Sequence, residues 1–204
     1  MDPISVIALS LGAGWASGLN LYAAVLTLGV LQDLGWVALS PHLQVLGSPI
    51  VLSAAAFMYG LEFFADKIPV VSTAWNALHT FIRIPAGAVL AAASVAGVDP
   101  EWALAAALIG GSVAAGTHFA KAGSRFALAM LPLPFAAVAA SLGEDLAAVA
   151  ILWVALTHPV VLLVLLALFM ALLIWLLPRL FRLAKRMFQT IARWIGGANS
   201  SAAE

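Results

Sequence analysis

From Ile4 to Leu31 the chain carries no charged residue. A helix crosses a bilayer with about 20 apolar residues at ~1.5 Å each, so this segment is long enough to be a first span. Met1, Asp2 and Pro3 place an acid rather than a basic region ahead of it, so it reads as a retained helix and not a cleavable signal. Gly12, Gly14, Gly18 and Asn20 lie in its first half and middle. Two readings stay open: close helix packing, with Gly14 and Gly18 one turn apart, or a locally unwound stretch facing a substrate.

Residues 32–47 read as a connection containing Asp33, Pro41 and His42. Ser48 and Pro49 predict an N-cap and first helical position. The helix they open runs to about Ala65 and carries Glu62 near its end, with Asp66, Lys67 and Pro69 following. Ser72 is expected to cap a third helix that holds Trp75, Asn76, His79 and Arg83 and is interrupted by Pro85. The apolar run 84–98 would be only about 22 Å long as helix, short of a ~30 Å hydrocarbon core. Either the helix begins near Thr73 and draws His79 and Arg83 into the membrane, or residues 72–83 form a re-entrant helix.

Asp99, Pro100 and Glu101 predict a fourth helix to about Ala120, with Trp102 as an interfacial anchor and Lys121 and Arg125 beyond. Residues 126–142 are apolar but contain Pro132 and Pro134. The stretch between Asp145 and His158 is too short to span, so either Glu144 and Asp145 sit inside a longer helix from about Phe135, or residues 126–142 dip in and return. Val160 to Leu177 reads as a plain span. After Pro178, Arg179, Arg182, Arg186 and Arg193 recur at helical spacing opposite an apolar face, as in an interfacial amphipathic helix over 179–195. Residues 196–204 are small and polar and are expected to be a disordered tail.

Composition fixes the class. Hydrophobic residues make up 64% and charged residues 9%, against roughly 45–50% and about 25% in soluble domains. The expected fold is all-α: a polytopic transmembrane bundle over residues 1–178 with about six spans, two broken or re-entrant, and the interfacial helix. Nine basic and nine acidic residues cancel, which argues against a nucleic-acid partner. The absence of cysteine excludes disulfides, thiolate metal sites and cysteine nucleophiles. Lys and Arg fall near 67–83, near 121–125 and in the tail, so the positive-inside rule puts both termini in the cytoplasm of a bacterial inner membrane. The basic tail implies contact with anionic lipid headgroups. The Gly14/Gly18 stripe leaves room for a homo-oligomer.

Charges at membrane depth cost at least ~2.5–3.5 kcal/mol each, so they face inward and pair. Glu62 and Asp66 share a helix face, and Asn76, His79 and Arg83 share another. His118, Lys121 and Arg125 repeat those offsets, while Glu144 and Asp145 add two acids. One reading is a structural ion-pair network. The other is a polar cavity in which Arg83, Lys121, Arg125, His118 and Asn76 hold an anionic substrate, and Glu62, Asp66, His79, Glu144 and Asp145 carry protons or a coupling ion. The neighbouring bases oppose a metal, and no cofactor is expected. H-E-x-x-H, G-x-S-x-G and Walker A motifs are absent. An acid–base pair such as Glu62 with His79 is the one route to catalysis. The functions expected are therefore a small secondary transporter or flippase-like carrier of an anionic solute or lipid headgroup, open to proton coupling, or a non-catalytic membrane scaffold.

Several stretches carry a resemblance: residues 17–22 (SGLNLY), 62–69 (EFFADKIP), 75–86 (WNALHTFIRIPA), 118–125 (HFAKAGSR) and 141–145 (SLGED). Over about residues 8–180 the chain resembles an uncharacterised bacterial membrane family, the domain of unknown function 4126 family. The resemblance implies the same polar residues but no activity. It also implies a Gly-Asn-Pro-like turn ahead of Ser141, where this chain reads Leu131-Pro132-Leu133-Pro134.

Overall fold

The structure, a computed structural model, describes residues 2–95, 97, 100–129, 135–176 and 178–179. Among these residues there is no strand. The helices are α1 (Pro3–Asp33), a short 3-10 turn (Gln44–Gly47), α2 (Pro49–Ala65), α3 (Pro69–Ser94), α4 (Pro100–Ala129), α5 (Ala136–Thr157) and α6 (Pro159–Leu176). All but α2 are long and apolar enough to cross a membrane, so this is a multi-pass helical membrane protein. At 17 residues, α2 is about 25 Å long.

Local chemistry sets the ends. Asp2 caps α1 by accepting from the Ile4 and Ser5 amides at 3.0 and 3.1 Å. Ser48 caps α2 through the Val51 amide, with Pro49 in the first turn, as the sequence predicts. The third helix corrects the expected start. It opens at Pro69, and Ser72 lies inside it with its amide on the Ile68 carbonyl at 2.8 Å. Proline supplies no N–H and needs no capping partner there, so it outcompetes the serine signal one turn later. Residues 72–83 therefore belong to one helix with 84–94 and are not a separate re-entrant segment; Pro85 lies within that helix.

Glu144 and Asp145 sit in the first half of a full-length α5. Residues 126–129 close α4 and 136–142 open α5. The Pro132–Pro134 stretch, with the turn implied there, lies outside the described residues. So do Asp99, the amphipathic segment beyond Arg179 and the tail 196–204.

The chain forms two compact units, Met1–Leu165 and Leu166–Glu204. In the first, α1 is the central helix and packs on α2, α3, α4 and α5, while α3 and α4 form the most extensive pair. Small residues make this possible. A Cβ on Gly14 would stand 2.7 Å from the Gly110 carbonyl oxygen, and one on Gly18 would stand 2.6 Å from the Ala114 oxygen and the Thr117 side chain. A Cβ on Gly110 would collide with Ala91. The packing reading of Gly14 and Gly18 is therefore observed, between helices of one chain.

The helix exteriors are apolar, with Phe57, Leu78, Phe81, Leu108 and Leu146 exposed, while the interior holds polar groups. Leu39, Leu43 and Leu46 of the α1–α2 connection fold into the core, and Ser40 donates to the Ala93 carbonyl at 2.6 Å. In the second unit the helix continues to Leu176. There the Arg179 guanidinium lies 3.6 Å from the Trp175 ring centre and donates to the Trp175 carbonyl.

Candidate functional site

A break in α1 organises the interior. Asn20 has extended angles (φ −149°, ψ 103°) inside an otherwise continuous helix. Its Oδ1 accepts from the Ala23 amide at 3.0 Å, so Asn20 acts as an internal N-cap for the second half. In an unbroken helix that amide would bond the Leu19 carbonyl. The Leu19 oxygen instead receives the Lys121 ammonium at 2.9 Å. The unwound reading of this stretch is thus realised at one residue, beside the packed glycines.

The charged side chains assemble around that break. Glu62, Asp66, Asn76, His79, Arg83, His118, Lys121 and Asp145 are buried. Lys121 bonds Asp66 at 2.9 Å and lies 3.2 Å from Glu144 and 3.6 Å from Glu62. Arg125 grips Glu144 with Nε and Nη2 at 3.0 and 2.6 Å, reaches Asp66 at 3.4 Å, and donates to the Ala137 carbonyl. Arg83 donates Nη2 to Glu62, and Nη1 to Asn76 and to His118 Nδ1 at 3.4 Å. Arg125 lies seven residues beyond His118 on α4, so the cluster extends about 10 Å along the bundle.

The two histidines are held in opposite tautomers. His79 Nδ1 faces the Trp75 carbonyl at 2.8 Å, which only accepts, so the proton sits on Nδ1 and Tyr22 donates its hydroxyl to Nε2 at 3.1 Å. The His79 ring also stacks on Trp75 with centres 4.4 Å apart. His118 Nδ1 faces Arg83, which only donates, so it is the acceptor. Its Nε2–H donates to Thr80 Oγ1 at 2.7 Å, and Thr80 passes the bond to the Asn76 carbonyl. His118 therefore accepts from an arginine on Nδ1, whereas His79 accepts from a hydroxyl on Nε2.

Asp145 differs from the other acids. Oδ1 accepts from Asn20 Nδ2 at 2.8 Å and Oδ2 from the Tyr59 hydroxyl at 3.4 Å, both neutral donors. Lys67, the remaining base of this region, makes no ion pair among the described residues. Its ammonium donates to the Phe63 carbonyl and lies 2.9 Å from the Phe63 ring centre. Burial pushes the Lys67 ammonium below the usual lysine range, while Asp145 and Asp66 pull it back up. Among the described residues, five buried side-chain polar atoms have no hydrogen-bond partner: Glu62 Oε2, Asp66 Oδ1, Ser141 Oγ, Arg83 Nε and Trp75 Nε1.

All ten residues singled out from the sequence thus converge, although Arg125 and Glu144 keep a little exposure. Asn20, Tyr22, Tyr59, Thr80 and Ser141 complete the site. Asn20 had a legible signal, an amide within a charge-free span. The hydroxyls had none, because uncharged hydroxyls are ordinary on membrane helices.

No curated protein and no solved structure matches the chain. Residues 7–179 match the family described as domain of unknown function (DUF4126), and the chain belongs to that family.

Proposed function

We propose that this DUF4126 member is a small secondary carrier of an anionic solute or lipid headgroup, coupled to protons, in a bacterial inner membrane with both termini cytoplasmic. The observation that carries the reading is the buried cluster of three cations and four carboxylates gathered around a broken central helix. Discontinuous helices with freed backbone groups are how many carriers build substrate sites. Every cation in the cluster is already held by a carboxylate, so an anion enters by replacing one. Glu144 is the natural group to leave. It is the most exposed of the ion-paired acids at 13%, and it serves both Lys121 and Arg125. A proton taken by Glu144 as the anion arrives leaves the charge of the site unchanged. On the basic side, Arg179 over Trp175 suits an interfacial position facing anionic headgroups.

Proteoliposome flux tests the proposal. Saturable anion uptake driven by an inward proton gradient is expected, and Arg125→Ala should abolish it. Flux that persists unchanged in the Arg83→Ala/Arg125→Ala chain would overturn it. One observation favours a second reading, a scaffold with a structural network: the Arg125–Glu144 contact is already a complete two-bond pair. Under that reading the double variant loses thermal stability, and no anion shifts the melting temperature of either form.

A further inference from the structure

The geometry points to a site for one monovalent cation, centred on Asp145 where α5 meets the break in α1. This rests on the reading of the cluster as a transport site and names its coupling partner. Four carboxylates are in the cluster, and among the described residues three cations touch them. Asp145 is the acid left with neutral partners, Asn20 from α1 and Tyr59 from α2. Lys67 and Arg125 act on Asp145 through space but neither bonds it among the described residues, so a positive charge bound directly to this buried carboxylate is stabilising.

A second observation marks the same place. Ser141 lies one turn before Asp145 on the same face of α5, is 1% exposed, and has no partner for its hydroxyl. On the α2 side, Glu62 Oε2 and Asp66 Oδ1 are also buried and unpartnered. Oxygens are what a small cation requires, and the Ser141 hydroxyl, one turn from Asp145, is a buried oxygen without a partner.

The surrounding charges define the balance. From α2 and the turn after it come Tyr59, Glu62, Asp66 and Lys67. From α4 come Lys121 and Arg125, and from α5 itself Glu144. α1 contributes only the uncharged Asn20. Lys121 and Arg125 are committed to Glu144 and Asp66, and Lys67 is held on Phe63. A divalent metal does not fit, since among the described residues no three His, Asp or Glu side chains group as a metal site. A proton or a sodium ion supplies the one charge required.

The test uses the purified full chain in mild detergent with no anionic substrate added. Thermal unfolding is followed in sodium against choline chloride at constant ionic strength, and proton uptake is counted on acidification. A saturable rise in melting temperature with sodium, lost in Asp145→Asn, assigns sodium. Uptake of one more proton in wild type than in Asp145→Asn, with no sodium effect, assigns the proton. Identical responses of the two chains to both cations overturn the site. The asparagine variant keeps an acceptor for Asn20 and carries the charge of the loaded state. Should it fail to fold, Ser141→Ala serves, since it removes an unpartnered hydroxyl and should weaken loading by either cation. An unchanged loading midpoint in Ser141→Ala then overturns the proposal. Cation loading without anion flux would sink only the carrier reading, because the two are measured apart.

Discussion

Arg125 and Arg83 solve the same problem differently. Arg125 forms two parallel bonds to one carboxylate, whereas Arg83 divides its donors among Glu62, Asn76 and His118. Removing one partner of a buried pair strands the other charge, at about 3–5 kcal/mol, while replacing both by apolar groups is far milder. Arg83→Ala is therefore expected to lower the unfolding midpoint in detergent more than the Glu62→Leu/Arg83→Met double replacement. The reverse order would mean that Lys121 alone neutralises Glu62. At the N-terminus, the Ser5 hydroxyl and amide hold the Asp2 carboxyl below its usual range. A depressed carboxyl stabilises the folded helix end above the ordinary value of 3.8, and that contribution is lost as pH falls through the lower folded value. Amide exchange at Ile4 and Ser5 should thus accelerate, relative to mid-α1 amides, only below about pH 4, and Asp2→Ala should show the fast rate at neutral pH. The charged residues were legible in the sequence because a charge in an apolar run has nowhere to go but inward. Their partners were not, since Asn20 meets Asp145 across 125 positions and no local pattern encodes that distance.

Helix packing depends on where glycine stands. Gly110 faces Ala91 with no room for a methyl group, but a Cβ on Gly123, on the same helix, would meet nothing within 4 Å. Gly110→Ala is expected to destabilise by about 1–3 kcal/mol through overpacking. Gly123→Ala is expected to stabilise by about 0.5–1 kcal/mol, the ordinary gain of alanine in a helix interior. Melting temperatures that move the same way would refute the α3–α4 contact. Element starts were legible wherever proline and an N-cap residue agreed, as at Ser48–Pro49. They were misread at Ser72, where two start signals lay one turn apart. Pro85 also looked like an interruption, because in water a mid-helix proline exposes backbone that a membrane bundle can satisfy. The carbonyl that Pro85 deprives of an amide is that of Phe81, and close by Ser17 of α1 donates its hydroxyl to the Arg83 carbonyl at 3.1 Å.

The whole bundle turns a soluble protein inside out, with aliphatic and aromatic side chains outside and ion pairs within. If the interior is a binding site, native mass spectrometry should find a defined anion retained by wild type and lost from folded Arg83→Ala/Arg125→Ala. A mixture of bulk lipids bound equally by both would favour the structural network. The break in α1 has a further consequence, for the order in which the protein is made. α1 leaves the ribosome before α2 to α5, and its interruption at Asn20 is completed by Lys121 and Asp145, which are synthesised last among its partners. At about 5–20 residues per second, roughly 6–25 seconds separate Asn20 from Asp145. Through that interval the Asn20 amide nitrogen is without Asp145, and for most of it the Leu19 carbonyl is without Lys121. The bundle cannot close around its axis until α5 is present. A chain truncated before α5 should therefore be degraded or held by insertion factors, not accumulate as a stable four-helix intermediate.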